Sequence, residues 1–231
     1  MKLFNTRNLV LNHAAALGKG VSSKFLKYSY AITLSNFLRD NKAVPHFANR
    51  FLMYDHVMQS LKFLNKSLQY FEFGVFKGDS IKYWASKNTN ASTHFYGFDS
   101  FEGLPNDWFP GMLRGHFSTG GNLPNINDKR IEFVKGWFNQ TLSPFIEKYP
   151  LNDSQIVIHM DADVYSSTYY VLNNLYFNNY IKKGTVIIFD EVIVASIADT
   201  EFRAFWDFVE VMNISYEVLG IAKYEMAILI K

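Results

Sequence analysis

The stretch YFEFGVFKGDS at residues 70–80 decides the fold. It starts as a short apolar run typical of a buried strand, continues through Gly74 and Gly78, and ends in residues that can begin a helix. A strand, a glycine turn and a helix in this order form one unit of a parallel sheet covered by helices. The glycines would let a ligand approach the backbone, or they are turn glycines before a helix capped by Asp79 or Ser80, and the stretch alone favours neither reading.

Further short apolar runs follow and alternate with helical stretches. They predict strands at residues 70–73, 94–98, 131–135, 155–160 and 185–189, with helices after most of them. Residues 216–219 and 225–230 are close enough in sequence to pair as an antiparallel hairpin at one edge of the sheet. The sequence therefore predicts an α/β fold whose parallel sheet has an antiparallel end.

The first 66 residues lack a convincing strand pattern. Apolar residues recur there near helical spacing, which predicts a helical N-terminal cap at 1–66 and a catalytic core at 67–231. They are Phe25, Tyr28, Ala31, Ile32 and Leu34, and then Phe51, Met58, Leu61 and Leu64.

The N-terminal apolar run is too interrupted for a signal peptide, because Asn5, Asn8, Asn12 and His13 divide it. No run approaches 18 apolar residues, so we expect no spanning helix and a cytoplasmic protein. The chain has 23 Lys and Arg against 21 Asp and Glu, a net charge of +2 that gives no reason to expect nucleic acid or a membrane as the main partner. Without cysteine, carboxylates and histidines must bind any metal.

Residues 100–130 form a long stretch rich in glycine and proline with no periodicity. A loop of this length inside a compact domain is usually functional or disordered. Its aromatic residues Phe101, Trp108, Phe109 and Phe117 favour a lid that packs on the site.

Asp99 ends the second predicted strand and lies 25 residues beyond Gly74. That spacing suits a carboxylate that accepts the hydroxyls of an adenosine ribose, although an Asp at this place can also cap its own turn. Glu72 would repel a pyrophosphate, so a cationic or uncharged ligand suits the site better.

Four further carboxylates follow two neighbouring predicted strands. Asp161 and Asp163 come after IVIHM, and Asp190 and Glu191 come after GTVIIF. Parallel strand ends meet at one edge of a sheet, where clustered carboxylates are unfavourable unless a cation joins them. Oxygen ligands alone favour Mg²⁺, Mn²⁺ or Ca²⁺ over Zn²⁺. Each acid taken singly could instead be a helix cap or turn residue, and His159 is more typical of a packed core histidine than of a base.

The motifs EFGVFKGDS, YGFDSFEGLP, VKGWFNQTL, IHMDADVYSST, IIFDE and EFRAF together resemble the macrocin O-methyltransferase-like (TylF) family between Tyr70 and Phe205. The resemblance implies a class I S-adenosylmethionine-dependent methyltransferase fold, Rossmann-like, with a seven-stranded sheet whose last strand is antiparallel. One departure is Phe76, where broader methyltransferase loops carry a middle glycine.

The resemblance also implies the roles of individual residues. Asp163 would be the general base, and Asp161, Asp190 and Glu191 would bind a divalent metal such as Mg²⁺. The implied acceptor is a hydroxyl of a sugar or sugar-containing small molecule. The sequence does not determine the oligomeric state, and a homo-oligomer is one possibility. S-adenosylmethionine would contact Glu72, Gly74, Gly78, Ser80, Asp99, Ser100, Gly136 and Trp137.

Two other enzyme classes fit parts of the sequence. A metal-dependent glycosyltransferase would use D-x-D at Asp161 and Asp163, but it leaves EFGVFKGDS, FDSFEGLP and FDE unexplained. A short-chain oxidoreductase would use the Y-x-x-x-K of Tyr83 and Lys87, but these lie on the first helix of the core, far from the expected site.

Overall fold

The computed structural model describes residues 19–149 and 151–231. Their centre is a seven-stranded sheet in the order β3-β2-β1-β4-β5-β7-β6. The interrupted apolar run of residues 5–13, and with it the expectation about a signal peptide, lies outside the described residues. The strands are β1 (Leu68–Phe73), β2 (His94–Asp99), β3 (Ile131–Lys135), β4 (Gln155–Met160), β5 (Val186–Phe189), β6 (Tyr216–Ile221) and β7 (Met226–Ile230).

The strand directions agree with the sequence prediction. Strands β1 to β5 pair in parallel, whereas β7 runs antiparallel to both β5 and β6. All six residues of β1 and all four of β5 are buried, because helices cover both faces of the sheet. The class I methyltransferase topology is therefore confirmed, and the strand order reverses between the neighbouring strands β1 and β4, a switch point where such sheets bind ligands.

Six α-helices and one short 3₁₀ helix (Ala195–Ile197) connect the strands in the described residues. Two of these helices precede the first strand. The α-helices are α1 (Lys19–Asp40), α2 (Arg50–Ser60), α3 (Asp79–Lys87), α4 (Phe138–Lys148), α5 (Tyr165–Phe177) and α6 (Glu201–Val211).

The two N-terminal helices pack on opposite sides of the sheet. Tyr30, Leu34 and Phe37 of α1 belong to the apolar cluster around Phe71 and Phe73. By contrast, Met53, Tyr54, Val57 and Met58 of α2 belong to the cluster on the other face, around Tyr70 and Trp84. Both clusters extend into the sheet, so these helices complete the core of the described chain.

The buried face of α1 differs from the face that apolar spacing predicted. Leu34 is buried, as expected, but Phe25, Tyr28 and Ile32 are 49%, 68% and 63% exposed. The inner face consists of Tyr30, Leu34 and Phe37, of which Phe37 meets the rings of Phe202, Phe205 and Trp206 at 6.0–6.3 Å. Helix α1 carries aromatic and aliphatic residues on its outer face as well as on its inner face, so apolar periodicity alone could not show which face is buried.

The segment at residues 100–130 is organised by its own backbone hydrogen bonds. Leu104 N–H donates to the His116 carbonyl and Gly115 N–H donates to the Leu104 carbonyl, both at 2.9 Å. Phe101 and Leu104 are buried, which fastens one end of the segment to the domain. No helix among the described residues is both long and apolar enough to cross a membrane.

Candidate active site

A cavity of about 600 Å³ opens at the C-terminal ends of the central strands. Of the twelve residues predicted to bind the cofactor, bind the metal or act as base, eleven line it. Gly78 does not. The lining members are Glu72, Gly74, Ser80, Asp99, Ser100, Gly136, Trp137, Asp161, Asp163, Asp190 and Glu191.

Gly74 serves first to bring two loops together. Its φ is +94°, and a Cβ at this position would lie 1.7 Å from the Asp161 carbonyl oxygen. Any side chain would therefore separate the loop after β1 from the loop after β4. Gly78, with φ of +79°, is the N-cap of α3, so the cap is neither Asp79 nor Ser80. Phe76, the departure noted in the sequence, has a φ of +50°, a left-handed conformation that glycine adopts without strain.

Asp99 joins the turn after β1 to the turn after β2. Its Oδ2 accepts hydrogen bonds from the backbone N–H groups of Val75 and Phe76, each at 2.8 Å, and its Oδ1 accepts from Phe101 N–H at 2.6 Å. The carboxylate therefore caps its own turn and also fixes the glycine loop. Both oxygens retain lone pairs, and the residue lines the cavity.

Four other predicted cofactor contacts line the same cavity from the segments after β1, β2 and β3. Ser100 Oγ accepts from Glu102 N–H at 3.1 Å and so stabilises the turn after β2. Gly136, with φ of +141°, donates its N–H to the Asp99 carbonyl at 2.9 Å, and Trp137 follows as the N-cap of α4. Ser80 is buried on the first turn of α3.

Three carboxylates that follow β4 and β5 converge in the cavity. Asp161, Asp163 and Glu191 each offer an oxygen, and these oxygens all lie within 4.8 Å of one another. Asp163 has a φ of +59°, so a strained backbone turns it toward the group. Glu191 Oε2 is buried without a hydrogen-bond partner in the described structure. The donor set consists of oxygens only and fits a hard divalent cation such as Mg²⁺.

The electrostatics of this group show the same need for a positive charge. Burial, followed by the nearby Asp190, raises the pKa of Asp163 to about 7. Burial and the same neighbour raise the pKa of Glu191 to about 10, and the pKa of Asp161 is also well above its usual range. Carboxyl groups in such a setting retain protons unless a cation takes their place.

Asp190 points to a different set of partners. Its Oδ2 lies 3.2 Å from Arg50 Nη1, and its Oδ1 lies 3.5 Å from His159 Nε2. Burial would raise the pKa of Asp190, but His159 and Arg50 outweigh burial and lower it. The observed group of three thus contains Asp163 where the sequence predicted Asp190, and the assignment of Asp190 to the metal stays a prediction.

His159 connects Asp190 with the predicted cofactor residue Glu72. Its Nδ1 lies 3.4 Å from Glu72 Oε2 and 2.9 Å from the Tyr70 hydroxyl. Burial lowers the pKa of His159, but Asp190 and Glu72 outweigh burial and raise it to about 9. A fully buried imidazolium between two carboxylates is a structural group, consistent with the expectation of a core histidine.

Two residues of the site were missed by sequence reasoning. Arg50 lines the cavity from α2, and nothing in the sequence of the N-terminal helices indicates this role. Glu201 is fully buried at the start of α6, and its Oε2 accepts from Glu191 N–H at 3.0 Å. Glu201 begins the EFRAF motif, and that motif was the available signal.

The second half of the chain is similar to a known family. The sequence model of the macrocin-O-methyltransferase (TylF) family matches residues 122–223. The resemblance to the TylF family is confirmed. The matched range holds the four-carboxylate region, Gly136 and Trp137, whereas the motifs at 72–80 and 96–105 precede it. In agreement with this match and with the fold, the chain is an S-adenosylmethionine-dependent O-methyltransferase.

Solved structures of methyltransferases share the fold. The O-methyltransferase NovP superposes with a TM-score of 0.53 and 18% identity, covering 78% of this chain and 76% of its own. The Podospora anserina methyltransferase PaMTH1, solved with S-adenosylhomocysteine bound, has a TM-score of 0.50 and 15% identity, with coverages of 89% and 88%. No match was found among curated protein sequences.

Proposed function

We propose that this TylF-type enzyme methylates a sugar hydroxyl with the help of a divalent cation, in the cytoplasm. The observation that carries the proposal is the convergence of Asp161, Asp163 and Glu191 in the same cavity as Glu72 and Asp99. Their uncompensated charge favours a bound cation, and we assign the acceptor to the side of these carboxylates and the cofactor to the side of Glu72 and Asp99.

The cofactor side of the cavity would hold S-adenosylmethionine, which supplies an electrophilic methyl group. We assign the ribose hydroxyls to Asp99, whose orientation is fixed by three backbone N–H groups. Glu72, held by the Tyr70 hydroxyl at 2.7 Å, places negative charge near the positively charged cofactor. The remaining contacts in this proposal are Gly74, Gly78, Ser80, Ser100, Gly136 and Trp137.

Asp161 and Glu191 would hold the cation, which would orient vicinal hydroxyls and lower the pKa of the one that reacts. Asp190 is the third predicted ligand. Since Arg50 Nη1 lies 3.2 and 3.4 Å from its two oxygens, direct binding by Asp190 would require Arg50 to move.

Asp163 would take the proton from the acceptor hydroxyl as the methyl group is transferred. A pKa of about 7 is close to the working pH, where a general base is most effective. The segment at 100–130 would exclude water as a lid, since Leu104, Pro105 and Phe117 line the cavity. The helical region up to residue 66 would add Arg50 to the core that follows it.

A metal-dependent glycosyltransferase is less well supported. Asp161 and Asp163 do lie together as D-x-D enzymes require. However, the cavity has only Arg50 and Lys77 as cationic lining residues among those described, and Arg50 already pairs with Asp190. A nucleotide diphosphate would face seven acidic side chains there.

The test is methyl transfer to a panel of sugars and sugar nucleotides by wild type, Asp163→Asn and the exposed control Asp153→Asn. We expect wild type and the control to require added Mg²⁺ and to stop in EDTA. Asp163→Asn should retain S-adenosylhomocysteine binding and lose about 10²- to 10⁴-fold in rate, the usual contribution of positioned proton transfer. Full activity in EDTA with a clean metal analysis would contradict the metal role, and full activity of Asp163→Asn would contradict the base.

A further inference from the structure

The net charge of +2 hides an uneven distribution along the chain. Residues 1–39 contain six of the 23 Lys and Arg and none of the 21 Asp and Glu. The rest of the chain therefore holds 17 basic and 21 acidic residues and is net negative. Such an asymmetry is typical of a segment that binds an anionic partner.

Helix α1 lies within this basic segment and exposes a row of apolar side chains. Phe25, Tyr28 and Ile32 are spaced by three and four residues, so they lie on one face of the helix, and all three are about half exposed or more. Lys24 and Lys27 are exposed beside them. In the described part of the chain, no other helix exposes more than one large apolar side chain.

The opposite face of α1 already has its partners. Tyr30, Leu34 and Phe37 are buried against the core, and the Tyr30 hydroxyl donates to Asp207 Oδ1 at 2.6 Å. The outer row thus adds nothing to the core of the described domain, although exposing three large apolar side chains together is unfavourable in water. Firm packing of the inner face keeps the outer row directed away from the protein.

We propose that the outer face of α1, defined by Lys24, Phe25, Lys27, Tyr28 and Ile32, binds the surface of an anionic phospholipid bilayer. Apolar side chains that enter the interface, flanked by lysines that reach lipid phosphates, characterise interfacial helices. Tyrosine is favoured at the headgroup level. A nucleic acid would match the lysines but would leave Ile32 and Phe25 without a suitable contact, so the combined chemistry favours lipid.

The experiment is flotation of the full-length protein with vesicles of phosphatidylcholine alone or mixed with phosphatidylglycerol. We expect binding to the mixed vesicles only, weakened by salt. Lys24→Glu/Lys27→Glu should lower the partition coefficient at least about tenfold, since each basic residue near an anionic surface contributes roughly fivefold. Phe25→Ser/Tyr28→Ser/Ile32→Ser should abolish flotation while retaining S-adenosylhomocysteine affinity.

Two matched controls separate this surface from general stickiness. Phe177→Ser/Val211→Ser removes exposed apolar side chains elsewhere, and Lys182→Glu/Lys183→Glu reverses exposed charges elsewhere, so both should float like wild type. Equal loss in these controls would overturn the proposal, as would absence of wild-type flotation. The proposal would also be overturned if light scattering showed that the apolar triple variant changes the oligomeric state while its flotation stays unchanged. It would be overturned likewise if the lysine variant lost DNA binding but not vesicle binding.

Discussion

Removing one carboxylate from the group of Asp161, Asp163 and Glu191 should weaken metal binding without lowering the thermal stability of the metal-free protein. Burial and the neighbouring Asp190 raise the pKa of Glu191 to about 10, so this side chain is protonated near neutral pH when no cation is bound. Glu191→Gln has the size and the neutral charge of the protonated side chain, and Glu191 Oε2 has no hydrogen bond to lose in the described structure. Without metal, the variant should therefore unfold at the same temperature as wild type or higher.

With metal the order should reverse. A cation at about 100 times its dissociation constant stabilises the folded state by about 2.7 kcal/mol, or about 5 to 10 °C for a chain of this size. Wild type should show this rise in melting temperature on addition of MgCl₂, and Glu191→Gln should show less than about half of it. Glu147→Gln, an exposed residue on α4, is the control and should respond like wild type.

The assay is calorimetry of metal-stripped protein with and without Mg²⁺, repeated with S-adenosylhomocysteine. The cofactor should raise the melting temperature of all three proteins equally, because we assign Glu191 to the metal and the acceptor and not to the cofactor. If Glu191→Gln keeps the full metal-induced rise, the carboxylate group does not hold the cation and the reasoning from clustered charge is wrong.

Two further substitutions test other parts of the site and the fold. Asp99→Asn should weaken S-adenosylhomocysteine binding about 10- to 100-fold in calorimetric titration, because a charge-assisted contact of roughly 1.5 to 3 kcal/mol is lost. Asp107→Asn, at an exposed position, is the control. If the affinity of Asp99→Asn is unchanged, Asp99 only caps its turn. Arg130→Lys should destabilise by about 2 to 3 kcal/mol in denaturant unfolding, unlike exposed Arg114→Lys, since Arg130 donates to the Ala85 and Asn88 carbonyls and to Asp128. Because the Arg130 hydrogen bond lowers the pKa of Asp128, that difference should shrink as pH falls through the lowered pKa, and a difference independent of pH would exclude the ion pair as its source.

The positions of the strands and the antiparallel end of the sheet could be predicted from sequence because the strands carry strong local signals. Buried strands such as β4 are nearly continuous apolar runs, and the polar residues that follow them mark the edge where ligands bind. Parallel topology then brings distant strand ends to one cavity, so Asp99 and Asp161 could be placed together without any knowledge of side-chain geometry. Local pattern and global topology agree here, and such agreement is what makes a fold predictable.

The direction of individual side chains could not be predicted in the same way. Gly74 looks like a ligand-binding glycine, but the backbone of Asp161 already occupies the space beside it. The outer row of α1 looks like a core stripe, because apolar spacing does not show on which side of a helix the core lies. In both places the deciding partner comes from a segment far away in the sequence.

Asp190 and Glu191 show this limit within two adjacent residues. In sequence they are equivalent acids at the end of β5, yet Asp190 faces His159 and Arg50 whereas Glu191 faces Asp161 and Asp163. The first carboxylate is compensated by two cations of the protein, and its pKa is lowered; the second has only like charges nearby, and its pKa is raised. A carboxylate whose charge the protein leaves uncompensated is the one that gains most from a bound cation. Arg50 therefore contributes to the site even without touching a substrate, because together with His159 it keeps Asp190 ionised, and the charge of Asp190 adds to burial in raising the pKa of Asp161, Asp163 and Glu191.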